Sequence, residues 1–290
     1  MAKRKYYNGV HYFLDEVNKR LHLEENFHKQ LLSDDQWTKF KKIGGSTIPD
    51  VLKTDAFKSQ FGAFCHIARL KLPVLSKKYI NAGNEIEPKI FSFYTELMKT
   101  KNPDVVIEHY VAKDYGFNYF EGKDDVIGGV PDGFNRTEGI LLEAKTVGYK
   151  KYETWSKKSQ DPSNRWPGVP VAYRKQAQLY AHLMNADRYT ILATFLRDEE
   201  GDYEHPENYD IKKRNFSTFN FLTNHTEAQD DINFVKSWYR EHTQSGISPV
   251  YDMRIDSDQI EYLRCKNEQE WVELLEKWKK LNKADLDEQP

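Results

Sequence analysis

Two adjoining stretches of this chain, Gly128-Gly129-Val130-Pro131-Asp132-Gly133 and Ile140-Leu141-Leu142-Glu143-Ala144-Lys145, hold its clearest structural pattern. The first has the glycine and proline content of a turn, and the second is an apolar β run that leads directly into charged residues. Alternate side chains of a strand point to the same face, so Glu143 and Lys145 are expected to point together. The pattern predicts a hairpin that delivers Asp132 to the strand beside Glu143.

Asp132, Glu143 and the backbone carbonyl of Ala144 would form a set of oxygen ligands at this strand. Mg²⁺ is a hard cation that prefers oxygen, and nucleases use it to activate water and to stabilise the leaving oxygen. A nearby lysine, here Lys145, can orient that water. The stretch therefore indicates metal-dependent cleavage of phosphodiester bonds, with Asp132, Glu143 and Lys145 as catalytic candidates.

The tripeptide Glu143-Ala144-Lys145 is weakly specific on its own. The same spacing of an acid and a lysine also occurs at Glu87-Pro88-Lys89, Glu121-Gly122-Lys123 and Asp210-Ile211-Lys212. The alternative interpretation is an ordinary hairpin that carries a Glu-Lys pair on its surface. The apolar strand, the preceding turn and the aspartate in that turn are what distinguish this copy.

A third carboxylate is expected from the segment Gly83-Asn84-Glu85-Ile86-Glu87-Pro88, which precedes an apolar-periodic run at residues 90–98. The pattern predicts a helix over residues 85–98 that starts within this segment. Either Glu87 or Glu85 could supply the carboxylate. The alternative is a solvated glutamate in the first turn, a position that the helix dipole favours.

A further helix is predicted around Tyr173-Arg174-Lys175-Gln176-Ala177-Gln178-Leu179-Tyr180. Tyr173, Gln176 and Tyr180 share one face of this helix. A glutamine on the inward side of a helix needs hydrogen-bond partners, and a phosphate or a water at the metal would serve. The alternative is an amphipathic helix whose Gln176 lies at its polar edge.

A basic stretch at residues 37–42 leads into the turn Gly44-Gly45-Ser46. Backbone amides and a hydroxyl in such a turn can hold a phosphate, which makes the turn a candidate phosphate-binding site. A plain glycine turn followed by a serine helix cap is the alternative.

In this order, the four segments resemble the phage lambda exonuclease and YqaJ-type viral recombinase nucleases, a branch of the PD-(D/E)XK superfamily. The resemblance covers about residues 37–197 and rests on the ordered set of motifs. It implies an α/β fold with a restriction-endonuclease-like core, in which a central mixed β-sheet is flanked by helices, with added N- and C-terminal helices.

The resemblance also implies a metal centre. Asp132, Glu143 and the Ala144 carbonyl would bind Mg²⁺, for which Mn²⁺ can substitute, with a pair of ions expected at the site. Glu87 would support the second ion or its water.

Other residues receive catalytic and substrate-binding roles from the same resemblance. Lys145 would aid the nucleophile, and Gln176 would orient the lysine or the water. Ser46 and Lys41 fall where the family grips the terminal 5′-phosphate, and the remaining substrate-binding candidates are Tyr173, Arg174 and Gln178.

Two residues depart from the family pattern at the phosphate grip. Lys41 stands where lambda exonuclease has an arginine, and an ammonium cannot bind phosphate in the bidentate way that a guanidinium can. The grip would then be weaker, or would use Lys42 or Lys39. Val130 replaces a serine just before Pro131.

The activity implied is that of an exonuclease that shortens linear double-stranded DNA from a 5′ end and leaves single strands for recombination. A ring-shaped homotrimer around DNA is implied as well, and a single-strand annealing protein is a candidate partner. Two alternatives stay open: an endonuclease of the restriction or structure-specific type on the same core, and a non-catalytic DNA-binding protein.

Charge and cysteine content narrow the function classes. The formal net charge is −2, so affinity for nucleic acid must come from a local patch, and residues 148–175 hold seven lysines and arginines against two acids. This basic segment is interpreted as a DNA-contacting loop, with a solvated surface loop as the alternative.

Cys65 and Cys265 lie far apart, so no zinc or iron–sulfur cluster is indicated. Neither a signal peptide nor a membrane span is found in the sequence, which predicts a cytoplasmic protein.

One nuclease domain is predicted over residues 1–290, with an N-terminal helical part at 1–80, a catalytic core at 81–200 and C-terminal additions at 201–290. Helices are predicted at residues 12–21, 34–42, 48–52 and 60–70, ahead of the helix at 85–98. Strands are predicted at residues 105–111, 118–121, 125–130, 140–146 and 189–196. An added strand at 217–222 and helices at 227–242 and 267–281 complete the prediction.

Overall fold

A computed structural model describes residues 4–35, 37–161 and 164–289 of this chain. The chain divides into two compact units, one formed by the residues up to Lys77 together with those from Asn233 onwards, and the other by Lys78–Ile232. The assignment of residues 1–290 to one nuclease domain stays a prediction. In the part of the chain that is described, no helix is both long and apolar enough to cross a lipid bilayer.

The helices and strands follow one another in the order β1 (Tyr12–Asp15), β2 (Arg20–Leu23), α1 (Glu25–Leu31), α2 (Ile48–Leu52), α3 (Gln60–Ile67), α4 (Lys78–Lys99), β3 (Ile107–His109), β4 (Gly133–Asn135), β5 (Ile140–Gly148), α5 (Tyr152–Ser156), α6 (Val171–Leu183), β6 (Arg188–Leu196), β7 (Asn215–Leu222), α7 (His225–Ser245), α8 (Met253–Arg264) and α9 (Glu268–Lys280). The predicted helices at 48–52, 60–70, 227–242 and 267–281 are confirmed as α2, α3, α7 and α9, although α3 ends at Ile67. Helices α1, α5 and α8 are not among the elements predicted from the sequence.

The first unit opens with an antiparallel hairpin of β1 and β2, so the predicted helix over residues 12–21 is wrong. Tyr12 and Leu14 are buried while Phe13 between them is 54% exposed, which is the two-residue alternation of a strand. The turn is held by Asp15, whose carboxylate accepts backbone N–H bonds from the residues at positions 17 and 18. These local bonds and the alternating burial replace the helix.

The predicted helix over residues 34–42 is also wrong in its described part, while Gln36 lies outside the described residues. The Asp35 carbonyl accepts the N–H groups of Thr38 and Lys39, which makes a turn. The Nε of Arg69 donates to the carbonyls of Thr38 and Lys39, at 3.2 and 2.8 Å. Side-chain bonding to these carbonyls takes up acceptors that a helix would use for its own backbone.

The second unit is built on a five-stranded mixed sheet in the order β3-β4-β5-β6-β7. Strands β5 and β6 are parallel, and every other neighbouring pair is antiparallel. Helix α6 lies in the crossover that parallel strands require. The predicted fold class, a central mixed sheet flanked by helices, is confirmed, as are the strands predicted at 105–111, 140–146, 189–196 and 217–222.

Strand β5 is buried along most of its length because helices cover it. Leu142 and Ala144 lie in a cluster with the α4 residues Ile86, Ile90 and Phe91. A strand packed on both faces reads as a continuous apolar run, which is why β5 is recognisable in the sequence.

Helix α4 begins at Lys78, so the predicted start within residues 83–88 is wrong and Pro88 lies inside the helix. Proline removes one intrahelical N–H bond, which normally ends or bends a helix. Here the helix continues because Ala82, Ile86 and Ile90, on both sides of the proline, are fully buried against the sheet.

The strands predicted at residues 118–121 and 125–130 are wrong, because this region forms turns. The side-chain oxygen of Asn118 accepts N–H bonds from Phe120 and Gly129. Asp124 accepts N–H bonds from Val126 and Ile127 in the same way. Asparagine and aspartate thus bind backbone groups that a strand would have paired with its neighbour.

The Gly133→Ala variant tests the close packing at the start of β4. An added Cβ at Gly133 would overlap the Glu108 carbonyl and the Phe91 ring, whereas one at Gly83 would make an ordinary 3.6 Å contact with Thr146. We expect Gly133→Ala to lower the free energy of unfolding by about 1 to 3 kcal/mol. The control Gly83→Ala, inside α4, should leave it unchanged or raise it by about 1 kcal/mol. Urea denaturation measures both; equal stabilities would contradict the packing.

Candidate active site

The hairpin of β4 and β5 brings Asp132 and Glu143 together. Gly133 pairs with Leu142 in the antiparallel register, so Asp132 lies next to the middle of β5. The Oδ2 atom of Asp132 accepts the backbone N–H of Ala144 at 2.8 Å. This bond fixes the aspartate beside Glu143, the residue that precedes Ala144 on the strand.

Lys145 is the positive partner of this acid pair. Its Nζ lies 2.5 Å from Oε1 of Glu143, whose side chain is fully buried. Burial alone would lower the pKa of Lys145, but the charges of Glu143 and Asp132 outweigh it and raise that pKa above its ordinary value. Lys145 is therefore an ammonium group at neutral pH.

Asp132 is in the opposite situation. Its withdrawal from water raises its pKa well above the ordinary value, and the charge of Glu143 raises it further, against the lowering effect of Lys145. Asp132 therefore holds a proton more tightly than an exposed aspartate does, and a bound cation would favour its charged form instead.

One oxygen of the Glu143 carboxylate is available to a ligand. Its Oε2 atom is buried and has no hydrogen-bond partner among the described residues. A buried carboxylate oxygen without a donor is costly, and a cation would satisfy it. The donor set of Asp132, Glu143 and the Ala144 carbonyl therefore fits a hard divalent ion such as Mg²⁺.

Glu87 lines a cleft of about 350 Å³ together with Asp132, His109 and Pro131. Of the two candidates for the third carboxylate, Glu87 lines this cleft, whereas Glu85 is exposed and does not line it. The Glu87 charge also contributes to the raised pKa of Asp132.

His109 also lines this cleft, although it is not among the site residues predicted from the sequence. Its Nε2 lies 2.9 Å from Oε1 of Glu87, and its ring stacks on Phe91 at 4.3 Å between centroids. His109 pairs with Gly133 across β3 and β4, which puts it beside Asp132. The only signal in the sequence is a histidine within the apolar run at residues 105–111.

The carboxylates do not form a complete metal site by themselves. Within residues 4–35, 37–161 and 164–289, no three His, Cys, Asp or Glu side chains are grouped closely enough to hold an ion. Asp132 thus lines one cleft with Glu87 and His109 while Glu143 is buried beside it, and together they do not form one preformed coordination sphere.

The predicted site residues of helix α6 lie on two different sides of the helix. The Tyr173 ring lies 5.1 Å from Lys145 Nζ, and Gln176, one turn further on, is half-buried. Gln178 instead donates to Glu227 at 3.0 Å and accepts the N–H of residue 224. Arg174 donates to Asn164 at 3.1 Å. Arg174 and Gln178 therefore lie away from the Lys145 side of the helix.

Lys41 and Ser46 belong to the first unit, and both are exposed. The Gly44 carbonyl accepts the N–H groups of Thr47 and Ile48, so the glycine turn leads directly into α2. Thr47, not Ser46, is the N-cap residue of α2. Ser46 is therefore not used as a helix cap, and its hydroxyl remains exposed.

The basic segment at residues 148–175 contains α5 and a loop, of which Pro162 and Ser163 lie outside the described residues. Trp166 in this loop has the ammonium of Lys158 5.3 Å from its ring and the guanidinium of Arg165 5.9 Å away. Two of the positive side chains thus lie over an aromatic ring in this segment.

The middle of the mixed sheet thus holds two carboxyl groups withdrawn from water with one lysine beside them. The chain belongs to the YqaJ-like viral recombinase domain family, whose model matches residues 36–187, more than half of the sequence. The resemblance to this family is thereby confirmed.

Individual proteins similar to this chain are distant from it in sequence. The uncharacterized protein MG373 homolog of Mycoplasma pneumoniae is 24% identical over 261 residues, which cover 78% of this chain and 87% of the relative. The crystal structure of the alkaline exonuclease LHK-Exo from Laribacter hongkongensis is similar at 12% identity over 71% of this chain and 89% of that chain, with a TM-score of 0.48. A phage-related exonuclease from Haemophilus somnus 129PT is similar at 14% identity over 70% and 94% of the two chains, with a TM-score of 0.47.

The Lys145→Met variant tests the buried ion pair. Removing the ammonium leaves Glu143 buried without its positive partner, and we expect the free energy of unfolding to fall by about 3 kcal/mol or more at neutral pH without divalent ions. The control is Lys212→Met, because Lys212 pairs with Glu96 at the surface, with both side chains more than half exposed. That variant should unfold like the wild type in urea. A Lys145→Met protein of unchanged stability would contradict a stabilising ion pair between Lys145 and Glu143.

Proposed function

We propose that this protein is an Mg²⁺-dependent deoxyribonuclease that acts as an exonuclease on linear double-stranded DNA. The observation that carries the proposal is the pair of Asp132 and Glu143, with a buried Glu143 oxygen that no described residue binds and with Lys145 beside it. Family membership supports the same conclusion. Pure DNA binding would not require three ionisable groups to be clustered away from water.

Asp132, Glu143 and the carbonyl of Ala144 would hold the ion, and Glu87, which lines the same cleft as Asp132, would support a second ion or its water. A divalent ion at such a site lowers the pKa of water and neutralises charge on the phosphate. The N–H of Ala144 holds the Asp132 carboxylate in place, so this ligand is positioned before any ion arrives. Preorganisation of this kind avoids the cost of ordering the ligand during the reaction.

Lys145 would orient the attacking water and stabilise negative charge, because its raised pKa keeps it protonated and unable to act as a base. The Tyr173 ring next to its Nζ limits the directions in which the ammonium can point. Gln176 is placed one turn further along α6 and would assist in positioning the lysine or the water. These side chains would therefore act as hydrogen-bond donors around the phosphate.

The finer parts of the proposal come from the family. Digestion would run from the 5′ end, with Lys41 and Ser46 at the terminal phosphate and Tyr173, Arg174 and Gln178 in further contacts with the substrate. A trimeric ring and a single-strand annealing partner would complete a recombination system. Exposure of Lys41 and Ser46 is consistent with such a role.

The first test is cleavage of linear duplex DNA with Mg²⁺, measured as release of acid-soluble nucleotides. We expect Glu143→Gln to lower the rate roughly a thousandfold. The control Glu138→Gln removes an exposed charge from the turn of the same hairpin and should leave the rate unchanged. A Glu143→Gln protein that cuts as fast as the control would refute the assignment of the site.

The choice of substrate separates the alternatives. An exonuclease leaves covalently closed circular DNA intact, whereas an endonuclease nicks it. Phosphorothioate linkages placed only at the 5′ ends should block digestion, while the same linkages at the 3′ ends should not. Nicking of circles would replace the exonuclease by an endonuclease, and blocking from the 3′ ends would reverse the polarity.

The second test measures the ion itself. Mn²⁺ has an electron paramagnetic resonance signal that disappears on binding, so titration counts bound ions without any reaction. We expect Asp132→Asn to lose the tightest Mn²⁺ site, since one of its carboxylates is gone, while the exposed control Asp125→Asn keeps it. Equal Mn²⁺ binding by the two variants would show that the ion is held elsewhere.

A further inference from the structure

A second cavity of the unit Lys78–Ile232 lies on the other side of α6 from Lys145. It has a volume of about 480 Å³ and is formed by side chains of α6, the start of β6, the end of β7 and the start of α7. Arg174, Arg188 and Arg165 all line it. The volume is in the range of sites that bind small ligands or single residues of a polymer.

The three arginines of this cavity lack carboxylate partners in the described part of the chain. Arg174 donates to the side-chain carbonyl of Asn164, and Arg188 donates to the backbone carbonyl of Glu138, both at 3.1 Å. Neither acceptor neutralises a guanidinium. By contrast, three other arginines of the same unit are paired with carboxylates: Arg136, Arg197 and Arg214.

The acids near the cavity are already engaged by a lysine. Lys175 Nζ lies 2.6 Å from both Glu227 and Asp231, and the second oxygen of Glu227 accepts from Gln178. Glu227 is the acid among the described residues that line the cavity; its charge interacts with Arg174 at longer range, but its ion pair is with Lys175 and not with an arginine. The Nε of Arg174 is moreover buried, and no described residue accepts a hydrogen bond from it.

An anion with several oxygens would satisfy this arrangement. Guanidinium groups bind phosphate in a bidentate way and are the preferred partners of phosphate in proteins. The cavity also has an apolar wall, which includes Phe221, stacked on Tyr189, and the exposed side chains of Val171 and Leu222. Apolar surface next to a phosphate site suits the sugar and base of a nucleotide.

We propose that this arginine cavity binds the phosphate backbone of single-stranded nucleic acid next to the cleavage site. Nucleic acid as the ligand rests on the proposed nuclease function, whereas the anion site itself rests on the geometry alone. Tyr173 contacts Lys145, whereas the next residue, Arg174, lines the cavity. One side of α6 therefore faces Lys145 and another side faces the cavity. A strand that leaves the cleft can cross α6 and place a phosphate on Arg174, Arg188 and Arg165.

The test is binding of a fluorescein-labelled single-stranded oligothymidylate in EDTA, where no cleavage occurs, measured by anisotropy over a range of salt concentrations. The double variant Arg165→Gln/Arg188→Gln removes two exposed arginines from the cavity. We expect its Kd to rise about tenfold, and the dependence of log K on log salt to flatten by about 0.7 for each phosphate that the protein no longer neutralises. Thermal unfolding verifies that both variants in the experiment are folded.

The matched control is Lys212→Gln/Lys213→Gln, which removes two positive charges from the same unit at exposed positions outside the cavity. Its Kd and salt dependence should stay close to those of the wild type. If the arginine double variant binds the oligonucleotide as this control does, the proposal is wrong. If the arginine double variant loses only the binding of inorganic phosphate, measured by calorimetry, the cavity is a site for free anions. That result would also overturn the assignment of nucleic acid as the ligand.

The outcome can be separated from that of the proposed nuclease function. Wild-type protein that binds the oligonucleotide through the arginines but cuts no DNA with Mg²⁺ would refute the nuclease and retain the cavity as a binding site. Protein that cuts DNA while the arginine variant binds normally would retain the nuclease and refute the cavity.

Discussion

The removal of two carboxylates from water beside one ammonium group is the constraint on which this fold depends. Desolvating Asp132 and Glu143 costs on the order of several kcal/mol for each charge, and Lys145 offsets only part of it. The surrounding elements keep the groups from separating: the N–H of Ala144 holds the aspartate, and close packing at Gly133 holds the hairpin. The sheet thus holds two carboxyl groups and one ammonium group away from water at a defined place.

Much of the second unit could be predicted because its signals are local. The apolar run of β5, the hairpin before it and the helical spacing of α6 are each visible within a short window of sequence. The pairing of Asp132 with Glu143 follows from that hairpin. His109 could not be found in this way, since its place beside Glu87 depends on the register of β3 with β4 and on the packing of α4.

Two of the errors, at residues 12–21 and 118–130, share a physical cause. At residues 12–21 and 118–130 the chain contains aspartate and asparagine side chains that bind nearby backbone N–H groups, and these bonds replace the regular structure that apolar spacing suggests. The error at α4 is of the opposite kind, because regular structure forms where Gly83 and Pro88 argue against it. Burial against the sheet stabilises the helix at these two residues. Propensity is a weak guide wherever a few strong interactions act on the same residues.

Pro88 also affects the composition of the cleft. Proline has no N–H, so the backbone carbonyl four residues earlier, on Asn84, lacks the donor that it would have in an uninterrupted helix. Asn84, Glu87 and Pro88 all line the cleft next to Asp132. Pro88 therefore brings no backbone N–H donor of its own to this wall, and the contact that the Glu87 carboxylate makes there is with Nε2 of His109.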